Sequence, residues 1–364
     1  MITSLVGQTL DALDTPALLI ERDLLHANIA TMTSTLREHG TGWRPHSKAH
    51  KSPAVAHLQI EAGAHGITCA KTSEAEVYAS AGIRDILIAN QVVGPIKARR
   101  LAGLAAQADV IVAVDSAENI GELDAAAYAL GTRPRVVIEV NTGMERAGAL
   151  PGEPAVRLAE QLAKCRALRF AGVMGWEGHA MAVPDPAGRA AAIEKAVGLL
   201  TATADAIREV GIPVEIVSCG GSGTYLTSVT VPGVTEVQAG GATFGDSAYR
   251  DLGVPVEAAL SLMVTVTSRP ADNRIIIDAG RKAVDPSNRV PHAVGLDAVA
   301  GMAFSAEHGT IRLREPAEAP RVGDRLELQI GYHDQCVHLH ERIFGLRDGV
   351  VETVLPVLGR GKLQ

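Results

Sequence analysis

Arg44-Pro45-His46-Ser47-Lys48-Ala49-His50-Lys51 follows a short apolar segment ending at Trp43 and opens a long run of alternating strand and helix patterns. Outward from it, strand-like segments fall at 66–69, 85–89, 110–114, 136–140, 168–174, 214–218 and 234–238, about eight with the one ending near Trp43. Ala-rich amphipathic segments lie between and around them. One spans 23–39, with Leu25, Ile29, Met32 and Leu36 on one face, Asp23 as its N-cap and Gly40 as its stop, and another spans 73–81. Short strands alternating with helices predict a parallel sheet. Eight such units over roughly 220 residues predict an α/β fold of the (β/α)8 TIM-like barrel type, with an open doubly wound sheet as the alternative. After about residue 255 the pattern turns β-rich at 260–266, 274–277, 325–330 and 350–354, separated by Gly, Pro and Asp turns, which predicts a C-terminal all-β domain. No low-complexity linker or internal repeat interrupts the chain.

The 364 residues, 47% hydrophobic and 21% charged, are enough for two domains with a sizeable core. A formal net charge of -7, with no long lysine or arginine run, argues against nucleic acid or an anionic membrane as the main partner and points to a small molecule. Cys69, Cys165, Cys219 and Cys336 are scattered without a CxxC pair, and no basic-then-apolar leader with a cleavage site is visible. Free thiols in a cytoplasmic protein are therefore expected. No apolar segment reaches the roughly 18 residues that a membrane span needs.

Barrel chemistry belongs at the C-terminal ends of the strands, and the unusual residues fall there. Lys48 follows the first strand, with His46, His50 and Lys51 beside it in sequence. A lysine forms an imine with a carbonyl only as the free amine, and neighbouring cations help to release its proton; a basic surface loop is the alternative reading. Residues 141–146 (Asn-Thr-Gly-Met-Glu-Arg) follow the fifth strand, and 175–179 (Gly-Trp-Glu-Gly-His) follow the sixth. Ser218-Cys219-Gly220-Gly221-Ser222-Gly223-Thr224-Tyr225 follows the seventh. Glycines there let backbone N–H groups approach an anion, and Ser or Thr hydroxyls add donors, so this turn reads as a phosphate cradle. A phosphate site with a candidate imine lysine suggests pyridoxal 5'-phosphate.

The chain then resembles the fold-type III pyridoxal enzymes, and within them the D-threonine aldolase and D-serine dehydratase group, whose N-terminal barrel is of the alanine racemase type. The likeness is carried in order by residues 14–17 (Asp-Thr-Pro-Ala), 44–51, 71–76 (Lys-Thr-Ser-Glu-Ala-Glu), 141–148, 218–224, 235–238 (Thr-Glu-Val-Gln) and 278–282 (Asp-Ala-Gly-Arg-Lys). It implies a cofactor-binding barrel over 22–250, a β domain formed by 1–21 and 251–364, and a head-to-tail homodimer. By the same likeness Lys48, the first lysine of its motif, carries the cofactor, with Lys51 as a supporting cation. Arg146 lies near the phenolic oxygen, and Ser218, Gly220, Gly221, Ser222, Gly223, Thr224, Tyr225 and Gln238 serve the phosphate and its surroundings. Trp176 stands where a tyrosine often occurs, and an indole donates but cannot accept a hydrogen bond.

Aldolases and dehydratases of this group share a metal site made by a His-x-Asp or His-x-Cys pair in the C-terminal domain. This chain reads Tyr332-His333-Asp334, with Cys336, His338 and His340 beyond. A remodelled site for a divalent ion (Mn, Mg or Zn) on His333 and Asp334 is one expectation, and no metal is the other. In a loop the two side chains could converge, whereas in a strand they would point to opposite faces. His338 and His340 read as one face of a strand. His46, His50, Glu177, His179 and His333 are the candidate acid–base groups, with His46, His179 and His333 grouped with Lys48 as catalytic candidates. The implied activity is lyase action on a D-configured β-hydroxy-α-amino acid by retro-aldol cleavage. Dehydration of D-serine or 3-hydroxyaspartate type comes second, racemisation third, and a non-enzymatic pyridoxal carrier last.

Overall fold

Residues 5–364 are described by a computed structural model; residues 1–4 of the N-terminal segment assigned to the β domain lie outside the described residues. The chain runs through β1 (Ala17–Glu21), α1 (Arg22–Glu38), β2 (Gly42–Trp43), α2 (Pro53–Glu61), β3 (Ile67–Cys69), α3 (Thr72–Ser80), β4 (Asp85–Gln91) and α4 (Pro95–Leu104). It continues with β5 (Asp109–Val114), α5 (Ala117–Leu130), β6 (Arg135–Glu139), α6 (Glu153–Leu162), β7 (Arg169–Met174), α7 (Pro186–Glu209), β8 (Ile216–Cys219), α8 (Tyr225–Ser228) and β9 (Glu236–Val237). The last part is α9 (Ser247–Asp251), β10 (Leu260–Ala271), β11 (Arg274–Ile277), β12 (His292–Ala293), β13 (Val299–Phe304), β14 (Gly309–Leu313), β15 (Arg325–Gln329), β16 (Arg342–Arg347) and β17 (Val350–Pro356).

The chain separates into two compact units. One is built from Met32–Lys48, Ala56–Gly240 and Lys362–Gln364. Its sheet has the order β2-β9-β8-β7-β6-β5-β4-β3, with every pairing parallel. A parallel bridge between His46 and Thr68, with Thr68 N–H donating to Pro45 O at 2.9 Å, joins the two ends and closes the barrel. The sequence of β5, DVIVAV, shows why these strands form: it is a β-branched run buried on both faces, as a parallel strand flanked by helices requires. Alternate residues divide the core. Ile86, Ile88, Val110, Val112, Val136 and Ile138 pack outward against the helices, while Leu87, Ile111, Ala113, Val137, Met174 and Ile216 fill the barrel interior. Each fully buried aliphatic side chain contributes about 1.5–3 kcal/mol. Helix starts and stops are local: Ser116 accepts from Asn119 N–H at the start of α5, and Gly131 ends it at φ 65°. The helix expected at 23–39 runs from Arg22 instead, so Asp23 sits inside its first turn and pairs with Arg347 at 3.0 Å rather than capping.

The second unit holds the described residues up to Thr31 together with Ala49–Val55 and Gly241–Gly361. Its sheet runs β13-β14-β11-β10-β1-β16-β17, with β15 on β10 and β12 on β15. β1 is antiparallel to β10 and parallel to β16, so the N-terminal strand is central to a sheet otherwise made from the end of the chain. The stretch with His338 is a single 3-10 turn, Val337–Leu339, ending at His340, and not the strand that alternation suggested. There His340 Nε2 donates to Ala283 O, 2.7 Å away.

Candidate active site

The expected cofactor residues of the barrel follow β6, β7, β8, β9 and β2, five successive neighbours in the sheet, all at C-terminal ends. Lys48 lies in the 3-10 turn Ser47–Ala49 and is exposed, although the residues on either side are buried. That turn is anchored from below. Ser47 Oγ donates to Glu74 Oε1 at 3.0 Å, and the other oxygen of this fully buried carboxylate accepts from Ala70 N–H at 2.9 Å. His46 Nδ1 accepts from the Lys48 N–H at 3.3 Å, which makes Nε2 the protonated nitrogen of the neutral ring. Gly240 packs so closely that a Cβ on it would lie 2.3 Å from His46 O.

The glycine turn after β8 is closed by Thr224 N–H to Gly221 O at 3.0 Å. Gly221 N–H donates to Thr224 Oγ1 at 2.9 Å, and the Gly223 N–H has no acceptor among the described residues. Trp176 lies over this turn. A Cβ on Gly221 would come within 2.2 Å of its ring and one on Gly178 within 2.3 Å of Nε1, so both glycines exist to admit the indole. Glu177, 1% exposed, reaches the turn from β7: its Oε1 accepts from Thr224 Oγ1 at 2.5 Å and Ser228 Oγ at 2.9 Å, and its Oε2 faces Gly220 N–H at 3.4 Å. Ser222 is buried in the same turn. Tyr225 turns away from it. Its phenol is buried and burial raises its pKa, so only its main chain belongs to the turn.

Arg146 is more than half exposed, with Nη2 3.6 Å from Glu139 Oε1. Glu139 closes β6 and is held by Gln91 Nε2 at 2.6 Å. The loop between is shaped by Asn141 Oδ1, which accepts from Gly143 and Glu145 N–H at 3.1 and 3.2 Å. Half-buried His179 lies against it, since a Cβ on Gly143 would meet the imidazole at 3.0 Å. Ser218 and Gln238 have a different setting from the one expected. Gln238 Nε2 donates to Ser218 Oγ at 3.0 Å and Ser218 Oγ donates to Glu236 Oε1 at 2.8 Å, so both side chains hang on a buried ionic network. Arg44 is its hub, 2% exposed, 3.0 Å from Glu236 and 2.7 Å from Asp85, with His65 on Glu236 and Arg135 on Asp85. Burial pushes the Glu236 carboxyl up, but His65 and Arg44 outweigh it and hold it at about 2.

His333 and Asp334 lie in the 3-10 turn His333–Gln335 of the β-rich unit. The expected convergence occurs: His333 Nε2 is 3.1 Å from Asp334 Oδ1. Its Nδ1 is 2.5 Å from Asp246 Oδ2, and Tyr332 Oη donates to Asp334 Oδ2 at 3.0 Å. Burial pushes the imidazolium down, and Asp246 with Asp334 outweighs it, raising the pKa to about 9. Both ring nitrogens thus face carboxylates, Tyr332 is a phenol pushed further from ionisation by burial and Asp334, and no group of three or more His, Cys, Asp or Glu among the described residues is arranged to hold a metal ion. This donor set makes a carboxylate–imidazolium cluster and does not fit a divalent ion. Sequence reasoning missed Asp246, and no local signal marks it, since 87 residues separate it from His333.

Pyridoxal 5'-phosphate fits the barrel residues: an exposed lysine on an anchored turn, a glycine turn with an open N–H, an indole beside it and a guanidinium on a shaped loop. The sequence reading assigns no role to Glu74, Glu139 or Glu236, which support these groups, though for Glu139 and Glu236 a carboxylate in an apolar strand run is a usable signal. The alanine racemase N-terminal domain model matches residues 20–248, and a serine dehydratase domain model matches residues 259–346. A D-threonine aldolase of Arthrobacter sp is 34% identical over 98% of this chain and 95% of its own. A 3-hydroxy-D-aspartate aldolase of Paracoccus denitrificans (strain Pd 1222) is 34% identical over 99% and 96%. The crystal structure of D-threonine aldolase from Filomicrobium marinum superposes with a TM-score of 0.95 at 34% identity, covering 99% of this chain and 98% of that one. Among the described residues no helix is long and apolar enough to cross a membrane. Fold, strand-end residues and full-length similarity together place the chain in the alanine racemase N-terminal domain family, within the fold-type III pyridoxal enzymes that include the D-threonine aldolases and D-serine dehydratases.

Proposed function

We propose that the chain is a pyridoxal 5'-phosphate-dependent lyase that cleaves the Cα–Cβ bond of a D-configured β-hydroxy-α-amino acid to glycine and an aldehyde. The observation that carries the reading is the similarity, over nearly the whole of both chains, to two aldolases whose names share that substrate pattern. When bound, the cofactor supplies an electron sink for the charge that Cα gains as one of its bonds breaks. The chain supplies the rest. Lys48 offers the amine on a turn fixed by Ser47 and Glu74, the glycine turn offers Gly223 N–H to the phosphate, and Arg146 brings positive charge from the β6 loop. Retro-aldol cleavage needs a base for the β-hydroxyl, and His46 and His179 are the imidazoles that the barrel unit carries at its strand ends. Glu177 is committed to hydroxyl and N–H donors of the turn instead.

The test is a product assay on D-threonine and D-3-hydroxyaspartate with cofactor supplied. Equimolar glycine and aldehyde from the D but not the L isomers is the expected result. Keto acid with ammonia would select the dehydratase reading, which the match of residues 259–346 to a serine dehydratase domain favours as second choice. Neither product set from either substrate would overturn both. The reading includes a homodimer of the 38.0 kDa chain, which sedimentation velocity checks.

A further inference from the structure

We infer that Glu177 is a positioning residue for the cofactor phosphate: its buried carboxylate holds the glycine turn in shape and takes the Thr224 hydroxyl out of phosphate binding. The inference rests on the pyridoxal phosphate reading and deepens it. Three donors of the turn and the helix that follows it meet this carboxylate: Thr224 Oγ1 at 2.5 Å, Ser228 Oγ of α8 at 2.9 Å and Gly220 N–H at 3.4 Å. A hydroxyl has a single proton, and that of Thr224 is directed at Glu177 while its oxygen accepts from Gly221 N–H at 2.9 Å. The one proton that Thr224 could offer an anion is therefore committed inside the protein. Thr224 becomes a strut between Glu177 and the backbone, and the anion is left to N–H groups at the crown of the turn, Gly223 among them. Trp176, the residue before Glu177, lies over Gly221, so adjacent residues from the end of β7 brace the turn. A carboxylate under an anion site is repulsive in itself, which means that its removal separates the two roles. If Glu177 acted by charge alone, neutralising it would tighten phosphate binding; if it acts by holding the turn, neutralising it loosens binding.

Affinities for pyridoxal 5'-phosphate and for pyridoxal, which lacks the phosphate, are read from the absorbance that each develops on titration into wild type, E177Q, T224V, S228A and the E177Q/T224V double variant. In E177Q the amide keeps the shape but turns an N–H toward Gly220 N–H or loses a hydroxyl partner. Expected is a loss of phosphate-form affinity of about tenfold or more with pyridoxal affinity changed less than about twofold, and a double variant no weaker than E177Q by more than about twofold. Equal or tighter phosphate binding by E177Q, a parallel loss for both ligands, or additive single effects would overturn the inference. Should E177Q fail to fold, T224V and S228A carry the same comparison; a selective loss of the phosphate form in both supports the inference, and its absence overturns it. Wild type that develops no absorbance with either ligand overturns the pyridoxal reading itself, an outcome distinct from all of these.

Discussion

Lys48 is exposed, but the turn that presents it is not free to move, because Ser47 beneath it is bonded to the buried Glu74. Replacing Lys48 by Ala should leave the fold intact, abolish borohydride trapping of cofactor on the chain and lower turnover by at least about a hundredfold, whereas Lys51→Ala should still be trapped. Peptide mapping of the reduced protein checks this. The His333 cluster makes a second prediction. With both ring nitrogens on carboxylates, no open coordination position remains, so extensive dialysis against a chelator should leave activity within about twofold and metal content below about a tenth of an equivalent. The same cluster sets a pH dependence. A pKa raised from 6.5 to about 9 in the folded chain means that its stabilisation is complete below pH 6.5 and fades as pH rises through 9, and His333→Gln should flatten that alkaline limb of the melting temperature.

The elements that matter for the site are turns, each built by contacts too local to show as periodicity. Gly221 illustrates this: its turn was legible as a glycine-rich anion cradle, but the reason for glycine at that position is the Trp176 ring 2.2 Å from where a Cβ would stand. Gly221→Ala must therefore displace the indole or the backbone. Loss of cofactor affinity by about tenfold or more is expected, with an unfolding midpoint shifted by no more than a core overpacking of about 1–3 kcal/mol. A parallel titration and denaturant melt measure both. The same reasoning applies to Thr224 and Tyr225, whose place in the turn suggests phosphate donors. Hydroxyls beside glycines suggest an anion, but Glu177 claims that of Thr224, and that of Tyr225 is buried. His338 and His340 failed for a similar reason, since two histidines with one residue between them fit a strand face equally well as a 3-10 turn.

Across the barrel, four strands are tied by one buried ionic chain: Arg44 beyond β2, Glu236 on β9, Asp85 on β4 and Arg135 on β6. Breaking it by Glu236→Gln leaves Arg44 buried with half its partners and should cost about 3–5 kcal/mol in a denaturant titration near neutral pH. The cost should shrink in acid. Glu236 is held at about 2 against an ordinary 4.5, so its stabilisation is complete above pH 4.5 and is lost as pH falls toward 2, where wild type and variant converge.

Periodicity and composition determined the barrel, because each parallel strand is buried on both faces and each helix on one, and those burial patterns are written directly in runs such as DVIVAV. They also determined that Lys48, residues 141–146, 175–179 and 218–225 lie at strand ends, since strand boundaries alone fix that. The β-rich unit was only partly legible: its pattern does not mark β1, β12, β13, β14 or β16, since β12 is two residues long, β13 is largely exposed and β1 and β16 are buried without alternation. The partners of charged groups were decided by tertiary structure alone. Arg44 meets Glu236 across 192 residues and Asp246 meets His333 across 87, and a charge buried in the fold must find its counter-ion wherever the topology brings one, regardless of separation along the chain.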